Sequence, residues 1–203
     1  MADIQYKFDD RYPYGPKGKA PWITLNGKDY ADSQLIIEFL GKEFRKDFCN
    51  SLSKEEKAVS RAMQIMAEEH VLFGLGWWRF VVDRCESMSV LMELSFFEYL
   101  FMKSLIKKIR KSLWLQGFGR HNDNEKIEII RKDIEAISNY LGTKKFLNGD
   151  IPCETDCSLF GMLSQFVWGA PGSPFESMVK NDYPNLLQYC YRMKEKFWPD
   201  WEQ

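Results

Sequence analysis

A proline-led hairpin near the start of the chain is followed by an aspartate–serine pair, and this spacing suits the binding of a small peptide-like ligand. Pro21 precedes the apolar run Trp22–Leu25, and Asp32 and Ser33 precede a helical apolar pattern. An X-Pro bond tolerates cis geometry, and a proline amide cannot donate to a β-ladder. Free amides at a helix start, with a serine hydroxyl, favour a carboxylate. We therefore expect a ligand that pairs with backbone beside Pro21 and places its carboxylate on Ser33.

The cysteines and histidines are the other residues that could do chemistry. Cys153 and Cys157 lie four positions apart at a predicted helix start, and two thiols at that spacing also suit a soft cation. Because no third ligand is near in the sequence, we expect a structural role and no metal site. His70 falls on an apolar helical stripe, which predicts a satisfied core histidine. His121 follows Arg120 in a glycine-rich loop, which indicates a loop anchor, with anion binding as the alternative.

Composition bounds the class of protein. The chain has 203 residues, of which 45% are hydrophobic, 15% aromatic and 28% charged, and this excludes a disordered or low-complexity protein. Its 28 Lys and Arg against 29 Asp and Glu leave a net charge of −1, so a global basic field for nucleic acid is absent and no nucleic-acid partner is expected. Five scattered cysteines without a CxxC pair predict reduced thiols in an intracellular compartment. The first residues do not have the pattern of a secretory signal.

The first 45 residues have the pattern of a small mixed α/β unit. Trp22–Leu25 is predicted to be a strand, Asn26-Gly27 a hairpin turn, and residues 28–30 the returning strand. A helix capped by the Asp32-Ser33 pair follows, and Gly41 is its predicted end. An upstream strand is expected over residues 4–8.

Everything after residue 50 has helical periodicity. Ser53 to Glu56 and Asn122 to Glu125 are predicted helix-start caps, and Pro184 is predicted to open the last helix. The expected core positions, helix by helix, are Val59, Met63, Met66, His70, Phe73, Trp77 and Val81; Ile127, Ile130, Ile134, Ile137 and Leu141; Leu159, Leu163 and Phe166; and Leu187, Cys190, Met193 and Phe197. The sequence therefore predicts an α+β first part and an all-α second part.

An apolar run over residues 90–103 precedes a basic cluster at residues 107–111. Glu93, Glu98 and Lys103 interrupt the run, and each costs about 2.5–3.5 kcal/mol at a bilayer centre. Apolar residues at steps of three and four indicate a core-facing helix instead of a membrane span. A solvated face is expected for the basic cluster, with peripheral contact to a membrane as the alternative.

Several segments together resemble one known family. The stretch 19–40 resembles the second half of the thioredoxin-like domain of glutathione transferases. The segments 116–121, 146–150, 156–161 and 196–201 resemble the failed axon connections proteins, which group with the metaxins and cadmium-inducible relatives in a divergent branch of that fold. The resemblance implies an α+β protein with an incomplete thioredoxin-like domain over residues 1–45 and an all-helical transferase-like domain over residues 50–203.

The resemblance also implies roles for individual residues. Pro21 falls at the family's cis proline, and Ala20 at the backbone that pairs with the cysteinyl part of glutathione. Asp32 and Ser33 fall on the pair that holds the γ-glutamyl group. Asp156 falls on the capping acid of the long core helix, where Cys153 replaces the usual Ser or Thr three residues earlier.

The family's first strand and helix, which hold the catalytic Tyr, Ser or Cys, have no expected counterpart here, so no catalytic residue is carried over. Tyr12, Tyr14 and Tyr30 are the alternatives for such a hydroxyl. The resemblance implies a non-catalytic or weakly glutathione-binding interaction protein, connected with axonal development or an organelle membrane. Its expected partners are glutathione, an unidentified protein and a second copy, in the cytoplasm or on the cytosolic face of an organelle. The alternative is a glutathione transferase for hydrophobic electrophiles or for metal and xenobiotic stress.

Overall fold

The computed structural model describes residues 2–9, 11–12, 14–47, 49–87 and 95–201, apart from the side chains of residues 97 and 99–103. The chain divides into two compact units, Met1–Ser51 and Leu52–Gln203. Within the described residues, no helix combines the length and the apolar character needed to cross a membrane.

The first unit is a hairpin followed by a helix. Strands β1 (Trp22–Leu25) and β2 (Lys28–Ala31) pair antiparallel, in a register that sets Trp22 opposite Ala31. Positive φ angles of 51° at Asn26 and 76° at Gly27 form the two-residue turn that the sequence predicted. Helix α1 (Ser33–Glu43) follows, and its Phe39 ring stacks on Tyr30 of β2 with centroids 4.1 Å apart.

Two expectations for this unit are wrong. Residues 4–8 form no strand: Tyr6 and Phe8 are 86% and 78% exposed, and the described sheet consists of β1 and β2 alone. Gly41 does not end α1, which continues to Glu43. The backbone returns close to this glycine instead: Lys46 N–H donates to Gly41 O at 2.8 Å, and a Cβ at Gly41 would stand 2.9 Å from Lys46 O.

The regular elements described in the second unit are helical, apart from an isolated β-bridge between Phe146 and Gly149. Its elements are α2 (Lys54–Met66), a π-helical segment (Ala67–Val71), α3 (Leu72–Trp77), a second π segment (Trp78–Val82), α4 (Phe96–Gln116), a 3₁₀ turn (Phe118–Arg120), α5 (Asp123–Leu141), α6 (Glu154–Val167), α7 (Pro174–Ser177), a third π segment (Met178–Asp182) and α8 (Pro184–Phe197). The predicted capping boxes at Ser53 and Asn122 are confirmed, and each side chain accepts the amide three residues on.

Most of the predicted core is confirmed. Along α5, Ile130, Ile134, Ile137 and Leu141 are fully or almost fully buried; along α6, so are Leu159, Leu163 and Phe166; along α8, Cys190 and Met193. Trp77 of α3 is 3% exposed. These side chains belong to one continuous cluster that joins the helices of this unit.

The first helical stripe is shifted by one residue from the predicted one. The predicted positions Val59, Met63 and Met66 are half-buried, whereas Ser60, Gln64, Ala67 and Val71 are buried. Ser60 and Gln64 are tolerated inside because they have partners on distant segments: Ser60 Oγ accepts from Asn148 at 2.7 Å, and Gln64 Nε2 donates to Ser158 at 3.2 Å. The apolar pattern therefore lies along the edge of the α2 face that packs into the core. Small and amide side chains occupy the centre of that face.

Helix α4 is described from Phe96 onward, so the first five residues of the predicted apolar run, residues 90–94, lie outside the described residues. The helix begins at a capping box in which Ser95 N–H donates to Glu98 at 2.8 Å. In its second half, Leu113 is 4% exposed and packs in the core. The basic cluster is exposed, which confirms the expected solvated face.

Candidate functional site

The four residues expected to bind a ligand in the first unit lie at one end of the hairpin. The Ala20–Pro21 peptide bond is cis. Because the β-ladder ends at the Trp22–Ala31 pair, Pro21 and Asp32 are the next residues on the two adjacent strands. Ala20 and Pro21 are exposed and Ser33 is half-buried, so backbone and side-chain groups at this end are accessible.

The aspartate–serine pair opens α1 in a constrained geometry. Asp32 has a φ of 87°, a conformation that non-glycine residues rarely adopt and that recurs at ligand-binding turns. Its carboxylate accepts from Leu35 N–H at 3.4 Å, and its carbonyl accepts from Ile36 N–H at 2.9 Å. Ser33 is the first helical residue, so its N–H has no intrahelical acceptor. Within the described residues its hydroxyl makes no hydrogen bond.

This arrangement presents two opposite chemistries side by side. The Asp32 carboxylate suits an ammonium group, and the Ser33 hydroxyl and amide, at the positive end of α1, suit a carboxylate. A free amino-acid group carries both charges on neighbouring atoms. The end of the hairpin is therefore chemically matched to an α-amino acid moiety whose backbone continues past the cis proline.

An irregular segment before the hairpin packs against the start of β1, a contact that no sequence pattern predicts. Trp22 Nε1 donates to the backbone carbonyl of Tyr12 at 2.9 Å. A Cβ at Gly15 would lie 2.5 Å from the Trp22 side chain, so only glycine permits this approach. Gly15 N–H also donates to Lys19 O at 3.1 Å. The two glycines just upstream of Pro21, Gly15 and Gly18, were the sequence feature that could have indicated this close packing.

The three tyrosines of this unit have different environments. The ring of Tyr30 is stacked on Phe39, and Lys28 Nζ lies 5.4 Å from its centroid. Tyr12 and Tyr14 are 65% and 71% exposed, and their hydroxyls make no hydrogen bond within the described residues.

Asp156 lies in the second unit, as residue N3 of α6. It is completely buried, and its carboxylate accepts from Leu147 N–H at 2.9 Å, from Cys153 N–H at 2.8 Å and from Tyr189 OH at 3.0 Å. Cys153 Sγ accepts from Asn148 Nδ2 at 3.4 Å. Burial raises the pKa of the Cys153 thiol, and the Asp156 charge raises it further. These interactions join three segments at the start of α6, and complete burial keeps the Asp156 carboxylate out of reach of a ligand in solvent.

Each of the two histidines pairs with a carboxylate. His70 Nδ1 pairs with Asp133 Oδ2 at 2.5 Å, and its side chain is 40% exposed, so it lies at the edge of the core and not inside it as expected. Burial raises the pKa of Asp133, against the opposing effect of His70. His121 pairs with Glu125 at 3.4 Å on the first turn of α5, which anchors its loop. No group of three His, Cys, Asp or Glu side chains in the described part of the chain is arranged to hold a metal.

Comparisons with known families match both units. A model described as the glutathione S-transferase N-terminal domain matches residues 1–85, and one described as the glutathione S-transferase C-terminal domain matches residues 130–193. A crystal structure of a beta-etherase from Sphingobium sp. strain SYK-6 matches 89% of this chain and 76% of that chain, with a TM-score of 0.60 and 16% identity. At that identity the likeness shows a shared fold and nothing further.

Three curated relatives cover almost the whole chain. Failed axon connections of Drosophila melanogaster is 29% identical over 92% of this chain, which spans 48%, about half, of that protein. Isoprene-epoxide–glutathione S-transferase of Rhodococcus sp. (strain AD45) is 27% identical over 96% of this chain and 86% of that protein. Metaxin-2 of Mus musculus is 21% identical over 92% of this chain and 72% of that protein. Because glutathione S-transferase domain models match residues in both units, the chain belongs to the glutathione-transferase-like family, and its relatives include failed axon connections and metaxin-2.

Proposed function

We propose that this protein binds glutathione at the end of its hairpin without conjugating it, and that it acts through protein interaction. The observation that carries the proposal is the adjacency of the cis Ala20–Pro21 bond to the Asp32–Ser33 pair. In the proposed complex, backbone at Ala20 pairs with the cysteinyl residue of glutathione. Asp32 holds the γ-glutamyl ammonium, and the Ser33 hydroxyl and amide hold its carboxylate.

Two considerations favour binding without turnover. Activation of the glutathione thiol needs a donor within about 3 Å of the developing thiolate. Tyr30 lies in the same unit, but its ring is stacked on Phe39 and is not free to swing toward a ligand. The Drosophila and mouse relatives are named for axon connections and as metaxin-2, and neither name states an enzymatic activity.

The same relatives suggest the cellular role that we propose for this protein. We propose a cytoplasmic protein that acts in axonal development or at the cytosolic face of an organelle membrane. Its partners would be a second copy of the chain and a further protein that is not yet identified. Glutathione would then serve as a bound ligand that stabilises the first unit.

A second candidate function is glutathione transfer to a hydrophobic electrophile. It is favoured by the Rhodococcus relative, which is named an isoprene-epoxide–glutathione S-transferase and of which this chain covers 86%. In this case one of the exposed hydroxyls of Tyr12 or Tyr14 is the candidate donor to the thiolate, because both lie in the segment next to β1.

Titration calorimetry with reduced glutathione tests the binding proposal. We expect saturable binding at millimolar glutathione or below, and at least about tenfold weaker binding in Ser33→Ala, because a hydrogen bond to a charged group contributes about 1.5–3 kcal/mol. Ser112→Ala, on the exposed surface of α4, is the matched control and should bind normally. Absence of binding by the unmodified chain, or equal binding by Ser33→Ala, contradicts the proposed site.

A turnover assay separates the two functions. With a model aryl halide or epoxide, the proposed protein should not accelerate conjugation above the uncatalysed rate. A rate that exceeds it and falls in Tyr12→Phe or Tyr14→Phe would establish the transferase and refute the non-catalytic role.

A further inference from the structure

The charge along the second unit is unevenly distributed. Residues 99–122 contain six basic side chains, Lys103, Lys107, Lys108, Arg110, Lys111 and Arg120, and no Asp or Glu. The whole chain has a net charge of −1, so the rest of it is net acidic. The positive field of this segment attracts an anionic partner, although the net charge of the whole protein does not.

The second half of α4 combines this charge with exposed apolar side chains on one face. At 100° per residue, Lys107, Lys111, Trp114 and Leu115 recur at the spacing that aligns them on a single face. Trp114 is 58% exposed and Leu115 is 66% exposed. Leu113, which is 4% exposed, points into the core on the other side of the helix. The outer face therefore has a tryptophan and a leucine at one end and lysines behind them.

The cations of this face are not neutralised by the protein itself. In the described part of the chain, Lys107, Lys108, Arg110 and Lys111 form no ion pair with a carboxylate. Arg120 holds the last turn, because its Nε donates to Trp114 O at 3.0 Å and its guanidinium lies 5.8 Å from the Trp114 ring centroid. The indole is thus kept beside the helix end, next to the Arg120 guanidinium.

We propose that this face of α4 binds an anionic lipid surface, with the lysines at the headgroups and Trp114 and Leu115 inserted at the acyl boundary. Tryptophan favours the membrane interface because its ring is amphipathic, and a polybasic helix with an apolar edge is typical of interfacial binding. A second copy of the chain fits this face poorly, since a two-fold contact would set the same lysines against each other. This inference does not depend on the glutathione site.

Vesicle flotation with the full chain tests the proposal. We expect binding to phosphatidylcholine vesicles that contain about one-third phosphatidylserine, and none to pure phosphatidylcholine vesicles, with binding weakened by salt. In Lys107→Gln/Lys108→Gln/Lys111→Gln the affinity should fall about 100-fold, at about fivefold per cation removed. The matched control Lys54→Gln/Lys57→Gln/Lys132→Gln removes three exposed lysines elsewhere and should lose less than about threefold.

A second measurement isolates the apolar contact. Lipids brominated in the acyl chains should quench part of the tryptophan fluorescence of the bound protein, and Trp114→Phe should abolish that part. Equal binding to neutral vesicles, equal losses in the two triple variants, or unchanged quenching in Trp114→Phe overturns the proposal. Tight binding to RNA without binding to anionic vesicles also overturns it, and circular dichroism of each variant checks that the fold is intact.

Discussion

The carboxylate of Asp156 accepts a hydrogen bond from the phenol of Tyr189 at 3.0 Å, across 33 positions of the sequence. The same hydroxyl lies 3.0 Å from the backbone carbonyl of Asp156. Burial raises the pKa of Tyr189 well above its ordinary value, and the neighbouring Asp156 adds to the rise, so the phenol remains a donor. This contact fixes the middle of α8 to the start of α6 inside the second unit.

We predict that Tyr189→Phe lowers the free energy of unfolding by about 1–3 kcal/mol, because Asp156 then loses one donor in a fully buried position. Urea denaturation followed by circular dichroism measures the change. Tyr191→Phe is the matched control on the same helix: Tyr191 is 43% exposed, and its ring packs edge-on to Trp168 without depending on the hydroxyl. Equal losses in the two variants would contradict the role assigned to the buried phenol.

The two glycines of α3 should respond in opposite directions to alanine. A Cβ at Gly74 would stand 2.5 Å from the buried side chain of Ile130, whereas a Cβ at Gly76 meets nothing within 4 Å. We expect Gly74→Ala to destabilise the protein by about 1–3 kcal/mol through overpacking. Gly76→Ala should stabilise it by about 0.5–1 kcal/mol, because alanine has the higher helix propensity. Thermal unfolding of both variants checks the pair, and the same sign in both would refute the close packing of α3 on α5.

The N-cap residue of α6, Cys153, is a weaker cap than serine would be. We predict that Cys153→Ser raises the free energy of unfolding by about 0.5 kcal/mol, since a hydroxyl is a stronger acceptor for first-turn amides than a thiol. Cys190→Ser is the contrast: Cys190 is completely buried in the apolar cluster, and a hydroxyl there should cost about 1–3 kcal/mol. Chemical denaturation under reducing conditions compares the two, and destabilisation by both would show that the thiol at position 153 is needed for packing.

Local sequence patterns predicted the caps of the helices but not the partners of the buried polar residues. Ser53 and Asn122 lie within three residues of the groups that they cap, so the sequence alone was sufficient to find them. Ser60 and Gln64 are buried because Asn148 and Ser158, roughly 90 positions away, supply hydrogen bonds. A core prediction based on apolar residues alone leaves such polar residues outside the core. The predicted stripe is therefore shifted by one residue from the buried one.

The candidate site was predictable in part because some of its features are local in sequence. The hairpin turn and the start of α1 are local features, and together they bring Pro21 next to Asp32. The contact between Trp22 and the Tyr12 carbonyl depends on an irregular segment that has no periodicity to detect. The prediction of a strand over residues 4–8 was wrong. Alternating apolar and polar residues favour a strand, but they do not supply a neighbouring strand for it to pair with.

The Asp133 carboxylate should make stability depend on pH. Burial raises its folded-state pKa above the ordinary value of 3.8, even though His70 opposes the rise. A raised carboxyl pKa contributes stability that is present below the unfolded-state pKa and is lost as the pH rises through the folded-state pKa. We therefore expect the free energy of unfolding of the unmodified chain to fall relative to Asp133→Asn as the pH rises from below 3.8 through the folded-state pKa, because the amide of the variant does not titrate. A difference that is constant, or that changes in the opposite direction, would contradict the assigned environment.

The most direct test of the proposed ligand site is a titration of the nitrogen-15-labelled chain with reduced glutathione, observed through its backbone amides. We predict saturable shifts at Ala20, Trp22, Ser33 and Gln34, with those of the second unit largely unchanged, and loss of the shifts in Ser33→Ala. Shifts confined to the helical unit, or none at millimolar glutathione, would contradict the assignment of the hairpin end as a glutathione site.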